Sequence, residues 1–163
     1  MKKTILTLAT VALLTSVANA AWTFNSSPSK IIHPSGWELR VTVSGTELTL
    51  VSSAVIATPV KPASLPLAEP ITGYTLTRIA ANAFKDNSSI TGLTLPSTLT
   101  AIGEGAFQSC LNLKGTLTIP GRVTTISKNA FYGCSSLTGL TLQNGIQHIG
   151  ESAFEDCTAL KGT

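Results

Sequence analysis

Charged and aromatic side chains are both scarce in this sequence, at 12% and 6% of its 163 residues. So few charges disfavour a bundle of long charged helices, whereas the many Thr, Ser and Gly residues favour a β-rich fold. Cysteine is also rare, and because there are three cysteines they cannot all pair in disulfides within one chain. Long apolar runs are missing too, since a membrane-spanning helix takes roughly 20 apolar residues.

The segment from Met1 to Ala20 has the three parts of a secretory signal peptide. Two lysines at positions 2 and 3 give a basic start, residues 5–14 are apolar, and Ala18-Asn19-Ala20 is a small-residue cleavage site. An apolar run of this length is too short to cross a bilayer as a helix. We therefore expect a bacterial protein exported through a cleavable signal peptide, cut between Ala20 and Ala21. It would be secreted or held at the cell surface, with no membrane span after cleavage.

The basic character of the chain belongs largely to this signal peptide. The full sequence has 11 basic and 8 acidic residues, and without Lys2 and Lys3 the basic residues number 9, which leaves a net charge of +1. A near-neutral surface has no electrostatic footprint for nucleic acid or anionic lipid. We expect neither partner.

An internal repeat decides the expected architecture. Phenylalanine recurs at an almost constant interval, and each Phe follows an Ala directly and an Ile five positions earlier. Asn or Cys stands three positions after each Phe, and Gly stands eight positions after it. The aligned residues are Phe84, Phe107, Phe131 and Phe154. A register kept at so many positions predicts about four equivalent units.

An alternating trio in the repeats predicts a short strand. The trios are Leu93-Thr94-Leu95, Leu117-Thr118-Ile119 and Leu140-Thr141-Leu142, and an inserted Thr116 precedes the second. We expect their apolar side chains to point inward and their Thr side chains outward. One unit cannot bury its own apolar face, so the units should stack about 4.8 Å apart, strand beside strand. The Ala-Phe segment is long enough for only a turn or two of helix.

The repeat Leu-x-Leu-Pro-x-x-Leu-x-x-Ile-Gly-x-x-Ala-Phe-x-x-Cys-x-x-Leu resembles the BspA-like, or Treponema-type, class of leucine-rich repeats. The segments that fall at the family's spacings are Leu95-Pro96, Ile102-Gly103, Ala106-Phe107, Cys110 and Leu113. Departures are mild: Ala80 and Ser127 replace the Gly, and Asn87 replaces the first Cys. The resemblance implies a leucine-rich-repeat solenoid from Ile71 to Thr163, with a strand and a short helical turn in each repeat of about 23 residues.

The segment from residue 21 to about residue 70 lacks the repeat. Residues 37–43 and 47–51 alternate like two strands around the turn Ser44-Gly45-Thr46, which predicts a β-hairpin. We expect this hairpin to cover the open end of the solenoid, where a bare strand edge invites aggregation. Trp22, Phe24 and Trp37 could lie over the first coil. Prolines at positions 59, 62, 66 and 70 then predict an extended connector.

The sequence offers little chemistry for a metal, a cofactor or catalysis. Cys110, Cys134 and Cys157 hold one position in successive repeats, which predicts stacked, buried thiols and neither a disulfide nor a tetrahedral zinc site. His33 and His148 are the candidates for general-base catalysis, but neither lies in a recognisable motif. We therefore expect no metal, no cofactor and no enzymatic activity. A hydrolase that depends on one of these histidines is the least favoured alternative.

The exposed Thr row is the candidate partner-binding surface, since repeat arcs commonly bind proteins across such faces. Its residues, with those that border them, are Thr94, Thr118, Thr141, Thr100, Thr124, Gln147 and His148. A solvated sheet face is the competing interpretation, because Thr is also a good exposed strand residue. Members of the BspA-like class are associated with adhesion to host matrix proteins and with coaggregation of bacteria. The resemblance thus implies an adhesin-type protein that binds host matrix or another cell surface. The alternative is a non-catalytic repeat module or fragment of a larger surface protein or enzyme.

Mass spectrometry of the exported protein tests the signal peptide. We expect the mature chain to begin at Ala21, because the small residues before it form the cleavage site. A chain that keeps Met1 and stays embedded in the membrane would contradict both export and the near-neutral mature charge.

Overall fold

The fold is known from a computed structural model that describes residues 22–26, 29–57 and 63–161. The expected signal peptide with its cleavage site, and Pro59 and Pro62 of the connector, lie outside the described residues. Within those ranges the regular structure is all β, in twelve strands. Their bounds are β1 Thr23–Ser26, β2 Ser29–Ile32, β3 Glu38–Ser44, β4 Glu47–Ala57, β5 Ala63–Leu65, β6 Thr75–Ile79, β7 Ile90–Leu93, β8 Ala101–Ile102, β9 Gly115–Ile119, β10 Thr125–Ile126, β11 Leu137–Leu142 and β12 His148–Ile149.

One eight-stranded sheet runs through the described chain, in the order β1-β2-β3-β4-β6-β8-β10-β12. Its first three pairings are antiparallel, and from β4 onward all pairings are parallel. The parallel part joins equivalent isoleucines of successive repeats, in the register Ile79 to Ile102 to Ile126 to Ile149. The repeat therefore folds into four stacked coils, and each contributes one short strand to this sheet.

The sequence analysis expected the continuous ladder of strands to run through the alternating trios. In the structure it runs instead through β4, β6, β8, β10 and β12. The strands of the second and third trios, β9 and β11, pair with each other, whereas β7, which ends at Leu93 where the first trio begins, pairs with β5 before the repeats. Within the β9–β11 pair, two residue steps from Leu137 to Gly139 lie opposite the single step from Gly115 to Thr116, and beyond this shift Leu117 faces Leu140.

The Ala-Phe segment is a chain of tight turns, and the helical turn expected there is not formed. In the first coil, the N–H groups of alternate residues donate to carbonyls three positions earlier. These bonds run from Ala83 to Ala80, from Lys85 to Asn82 and from Asn87 to Phe84. The N–H groups between them point to the next coil. Two positions in each coil have a positive φ, which an α-helix does not allow. They are Asn82 and Asp86, Gly105 and Ser109, Asn129 and Gly133, and Ser152 and Asp156.

The remaining N–H groups of the turn segment join neighbouring coils through hydrogen bonds. Asn82, Phe84 and Asp86 donate to the carbonyls of Glu104, Ala106 and Gln108 at 2.8–2.9 Å, and the next two coils repeat the pattern. A helix would use the same N–H groups for its own i−4 bonds. The turn conformation is therefore what permits a second ladder of hydrogen bonds beside the sheet.

Stacked phenylalanine rings fill the core along the coil axis. Neighbouring rings of the four-membered stack lie 5.0, 5.2 and 5.4 Å apart, within 7° of parallel. Phe84, Phe107 and Phe131 are buried, while Phe154 is partly exposed. This separation is close to the spacing of paired strands, so the rings share the rise of the backbone ladders.

The motif glycine after Ile102 is required by a close approach between coils. A Cβ on Gly103 would lie 2.4 Å from the backbone nitrogen of Ala81, and one on Gly150 would lie 2.6 Å from that of Lys128. Real Cβ atoms do not come so near a backbone atom. Glycine therefore lets the turn begin directly against the preceding coil.

An antiparallel unit precedes the coils. β3 and β4 form a hairpin around Gly45 and Thr46, and β4 continues the sheet by pairing in parallel with β6. Trp22 and Trp37 are fully buried, and their indole N–H groups donate to the carbonyls of Pro66 and Ser64 at 3.0 and 3.1 Å. The connector is not wholly irregular, because residues 63–65 form β5 and extend the sheet of β7.

The ring stack predicts unequal costs for two chemically identical truncations. Phe131→Ala should lower the free energy of unfolding by about 3–5 kcal/mol, because the ring is buried between two neighbours. Phe154→Ala should cost clearly less, since its ring is partly exposed and stacks on one described neighbour. Urea denaturation measures both. Equal losses of unfolding free energy would mean that burial between two stacked rings does not add to the stability of the core.

Candidate functional site

All seven residues of the predicted binding surface are solvent-exposed, but the structure places them in two rows. The first row contains Thr118 and Thr141, which face each other in the β9–β11 pair, with Thr94 directly after β7. The second row follows the eight-stranded sheet, at or just before its short strands. Its members are Thr100, Thr124, Gln147 and His148.

The second row is tied into the coil-to-coil ladder. Thr100 donates both its N–H and its hydroxyl to the Thr77 carbonyl, at 2.8 and 3.0 Å. The carbonyl of Thr124 accepts the N–H groups of Gln147 and His148 at 2.8 and 3.2 Å. These bonds fix the backbone of the row, so its exposed side chains are held at the spacing of the coils.

Charges alternate along a third column, at the start of the turn segments. Lys128 lies between Glu104 and Glu151 of the neighbouring coils, and its ammonium is 2.6 Å from the Glu151 carboxylate. Hydrogen bonding and attraction within this pair raise the pKa of Lys128 and lower that of Glu151. Because the pair is exposed, it contributes little to stability.

The thiols form a buried column, which confirms the predicted burial of Cys110, Cys134 and Cys157. Each thiol donates to the carbonyl of the Phe in the preceding coil, and the sulfur-to-oxygen distance is 3.2 Å in all three cases. Burial raises the pKa of Cys110 to about 12. Interaction with the neighbouring Cys157 thiol, together with burial, raises the pKa of Cys134.

A buried histidine joins the hairpin region to the connector. His33 is 4% exposed, its Nδ1 lies 2.5 Å from the Ser35 hydroxyl, and its Nε2 lies 3.1 Å from the Glu69 carboxylate. The indole of Trp22 packs on its ring at 4.9 Å. Sequence analysis singled out His33 but missed Glu69, because the two are far apart along the chain. No local spacing signals that contact.

The Ser35, His33 and Glu69 side chains have the residue types of a hydrolytic relay, but the oxyanion donors of such a site are not arranged around Ser35. A serine hydrolase needs backbone N–H groups that are free to bind the oxyanion. Here the N–H of Ser35 donates to His33 Nδ1, and that of Gly36 donates to the His33 carbonyl. The cluster therefore closes a turn and fastens it to the connector. His148, the other candidate base, lies exposed in the fourth coil.

One cavity of about 310 Å³ lies between the connector and the first coils. Leu67, Tyr74, Pro96 and Thr98 are among the residues that line it, and Glu69 is its charged member. The volume is at the lower end of the range of small-molecule sites. The Glu69 carboxylate already pairs with His33. Among the described residues, no group of His, Cys, Asp and Glu side chains converges to hold a metal ion.

Comparison with protein families agrees with the repeat pattern. A family model described as "BspA type Leucine rich repeat region" matches residues 67–163 in six copies, and this confirms the resemblance seen in the spacing of the residues. The chain is also similar to the crystal structure of a leucine-rich-repeat protein of T. pallidum. The identity is 17%, the match covers 76% of this chain and 88% of that one, and the TM-score is 0.43. Curated proteins give no match. In the described part of the chain, no helix has the length and apolar character needed to span a membrane.

The thiol column predicts a loss of stability at alkaline pH. Because burial raises the pKa of Cys110 above the usual value of about 8.5, the native thiol stays protonated where the unfolded one ionises. This contribution is fully present below the unfolded pKa and is lost as the pH rises towards 12. We expect the free energy of unfolding to fall from about pH 8.5 upward, by up to about 1.4 kcal/mol per pH unit for one thiol.

Urea denaturation across this pH range, with Cys110→Ala as the matched variant, measures the effect. The variant should show a shallower decline, and thiol labelling of the native protein should be slow at all three cysteines. Rapid native labelling, or an unchanged slope in the variant, would contradict the buried column.

Proposed function

Because the chain belongs to the BspA-type leucine-rich-repeat family, we propose that it is an exported, adhesin-type protein that binds partners through its exposed rows and has no catalytic activity. The family itself is one of protein-interaction repeats. Adhesion and export are the further steps, and the signal peptide and the surface of the coils support them.

The observation that carries the proposal is the pair Thr118 and Thr141, side by side and exposed on the β9–β11 sheet. Leu117 and Ile119, which alternate with Thr118 along β9, are buried in the core. The stack beneath therefore fixes the strand, so binding need not order this backbone, and preorganisation of this kind favours affinity. Thr hydroxyls both donate and accept hydrogen bonds. Such a row suits an uncharged, hydrogen-bonding protein surface more than a charged ligand.

The expected partner is a matrix protein of a host or the surface of another cell. A near-neutral mature chain has little long-range attraction for such a partner, so we expect association rates in the range of unsteered protein pairs. Affinity would come from several coils acting together, because each adds its own short row to one continuous surface.

Substitutions in the rows test the proposal. Thr118→Arg with Thr141→Arg should reduce retention of matrix proteins or whole cells by about tenfold or more, because two bulky charges would be buried unpaired against the partner. A second double variant, Thr124→Arg with Gln147→Arg, reports whether the other row takes part. Solid-phase binding to purified matrix proteins and cell pull-down are the measurements.

Thr42→Arg with Thr46→Arg is the matched control, because both residues are exposed on the hairpin and belong to neither row. We expect this control to bind like the unchanged protein. If no partner is retained, or if neither row variant differs from the control, the proposed binding surface is wrong.

A further inference from the structure

The cavity between the connector and the first coils has apolar walls that the core holds in place. Leu67, Ile71 and Leu76 line it and are at most 6% exposed, so their side chains also belong to the core. The ring of Tyr74, another lining residue, packs against Phe24 at a centroid distance of 4.5 Å. These walls do not need to be ordered when a ligand enters, and such preorganisation favours binding.

The cavity carries one negative charge. Among the described residues that line it, Glu69 is the only charged one, and its side chain is 35% exposed. His33 Nε2 lies 3.1 Å from this carboxylate. The backbone N–H of Ser35 donates to His33 Nδ1 at 3.1 Å, so the imidazole is neutral with its proton on Nε2. A neutral donor leaves the charge of Glu69 uncompensated, and a carboxylate beside apolar walls favours a cation.

Hydroxyl groups and an aromatic ring complete the lining. Thr75, Ser97 and Thr98 contribute the hydroxyls. The Thr98 hydroxyl donates to the Leu76 carbonyl at 2.8 Å, so its oxygen lone pairs are left to accept. The ring of Tyr74 also lines the cavity, and aromatic faces attract cations. An ammonium group has three N–H donors and no acceptor, and it therefore matches a lining of carboxylate and hydroxyl oxygens.

The size of the cavity and the use of Glu69 decide which cation fits best. A volume of about 310 Å³ is small for a ligand site and suits a single side chain. An Arg guanidinium prefers both oxygens of a carboxylate, whereas a Lys ammonium is a point charge on a flexible apolar stem. Because His33 already donates to Oε2 of Glu69, one oxygen remains. This favours Lys, whose methylene stem can be buried along apolar walls.

We propose that this cavity binds the side chain of a lysine on a partner protein. The ammonium pairs with Glu69 and donates to the hydroxyls of Ser97 and Thr98, while the stem lies against Leu67 and Leu76. The choice of a protein as the source of the lysine rests on the proposed function, but recognition of the ammonium and its stem does not. None of the residues of the two exposed rows is among those that line the cavity. A lysine bound here would thus add to the contacts made by the rows.

Nα-acetyl-lysine N-methylamide is the probe, because it presents the lysine side chain with no other charge. In ¹H–¹⁵N NMR spectra of the full mature chain, we expect saturable shifts at Tyr74 and Ser97, with a dissociation constant on the order of 1 mM. The Nα,Nε-diacetyl form should bind at least about tenfold more weakly, because it lacks the charge. The corresponding arginine analogue should bind about threefold more weakly, since one carboxylate oxygen is already used.

Variants at the carboxylate identify the site. Glu69→Gln removes the charge but keeps an amide oxygen that can accept the Nε2–H of His33, and it should weaken the probe by about tenfold or more. Glu104→Gln is the matched control, because this carboxylate is exposed and does not line the cavity. We expect the control to bind the probe like the unchanged chain. Ser97→Lys leaves the histidine cluster untouched, and its tethered ammonium should block the probe.

Three results would overturn the site: no saturable shift with the lysine probe, equal binding of its diacetyl form, or equal binding by the Glu69 and Glu104 variants. Tighter binding of the arginine analogue would overturn the choice of lysine. Retention of matrix proteins or cells by Glu69→Gln should fall by about threefold or more. Unchanged retention, with the probe still bound by the unchanged chain, would overturn a partner protein as the source of the lysine.

The same probe separates this site from the exposed rows. Thr118→Arg with Thr141→Arg should bind the lysine probe like the unchanged chain, because neither residue lines the cavity. If the probe binds but no partner is retained by any form of the chain, the proposed function and the protein source of the lysine are both wrong, and recognition of the ammonium stands.

Discussion

Hydrogen bonds between successive coils are the interaction on which the rest of this structure depends. They form two ladders, one through the short parallel strands and one through the turns that carry the phenylalanines. Each ladder uses backbone N–H and C=O groups that a helix would pair within itself. The segments therefore form hydrogen bonds between coils in place of a helix. The coil spacing follows from these bonds, and every buried side chain has to fit that spacing.

The composition of the core follows from this spacing. Flat Phe rings stack at 5.0–5.4 Å, and a small buried thiol bonds to the Phe carbonyl of the coil before it. Glycine is needed where the backbone of Ala81 lies against position 103. On the outside, the same spacing brings Lys128 between two glutamates. The repeat is thus largely kept where two coils touch, and where Ser127 replaces the motif glycine its hydroxyl donates to the Ile102 carbonyl of the preceding coil.

The surface of the coils presents its exposed side chains in parallel rows. The buried histidine cluster, His33 with Ser35 and Glu69, fastens a turn to the connector, and the N–H groups beside it are already used. The exposed Thr rows are polar, and the backbone that carries them is held by hydrogen bonds between coils.

The sequence by itself determined the repeat, the residues that fill the core and the burial of the thiols, because a side chain that recurs at one register position must take the same place in every coil. It also placed Thr118 and Thr141 on an exposed strand, since alternation of apolar and polar residues is a local property. Only the tertiary structure decided that Ile102 and Ile126 carry the continuous ladder, that the Phe segment turns without a helix, and that Glu69 meets His33. The reason is physical: these features depend on which distant backbone or side chain accepts a given hydrogen bond, and a one-dimensional pattern of polarity does not specify that partner.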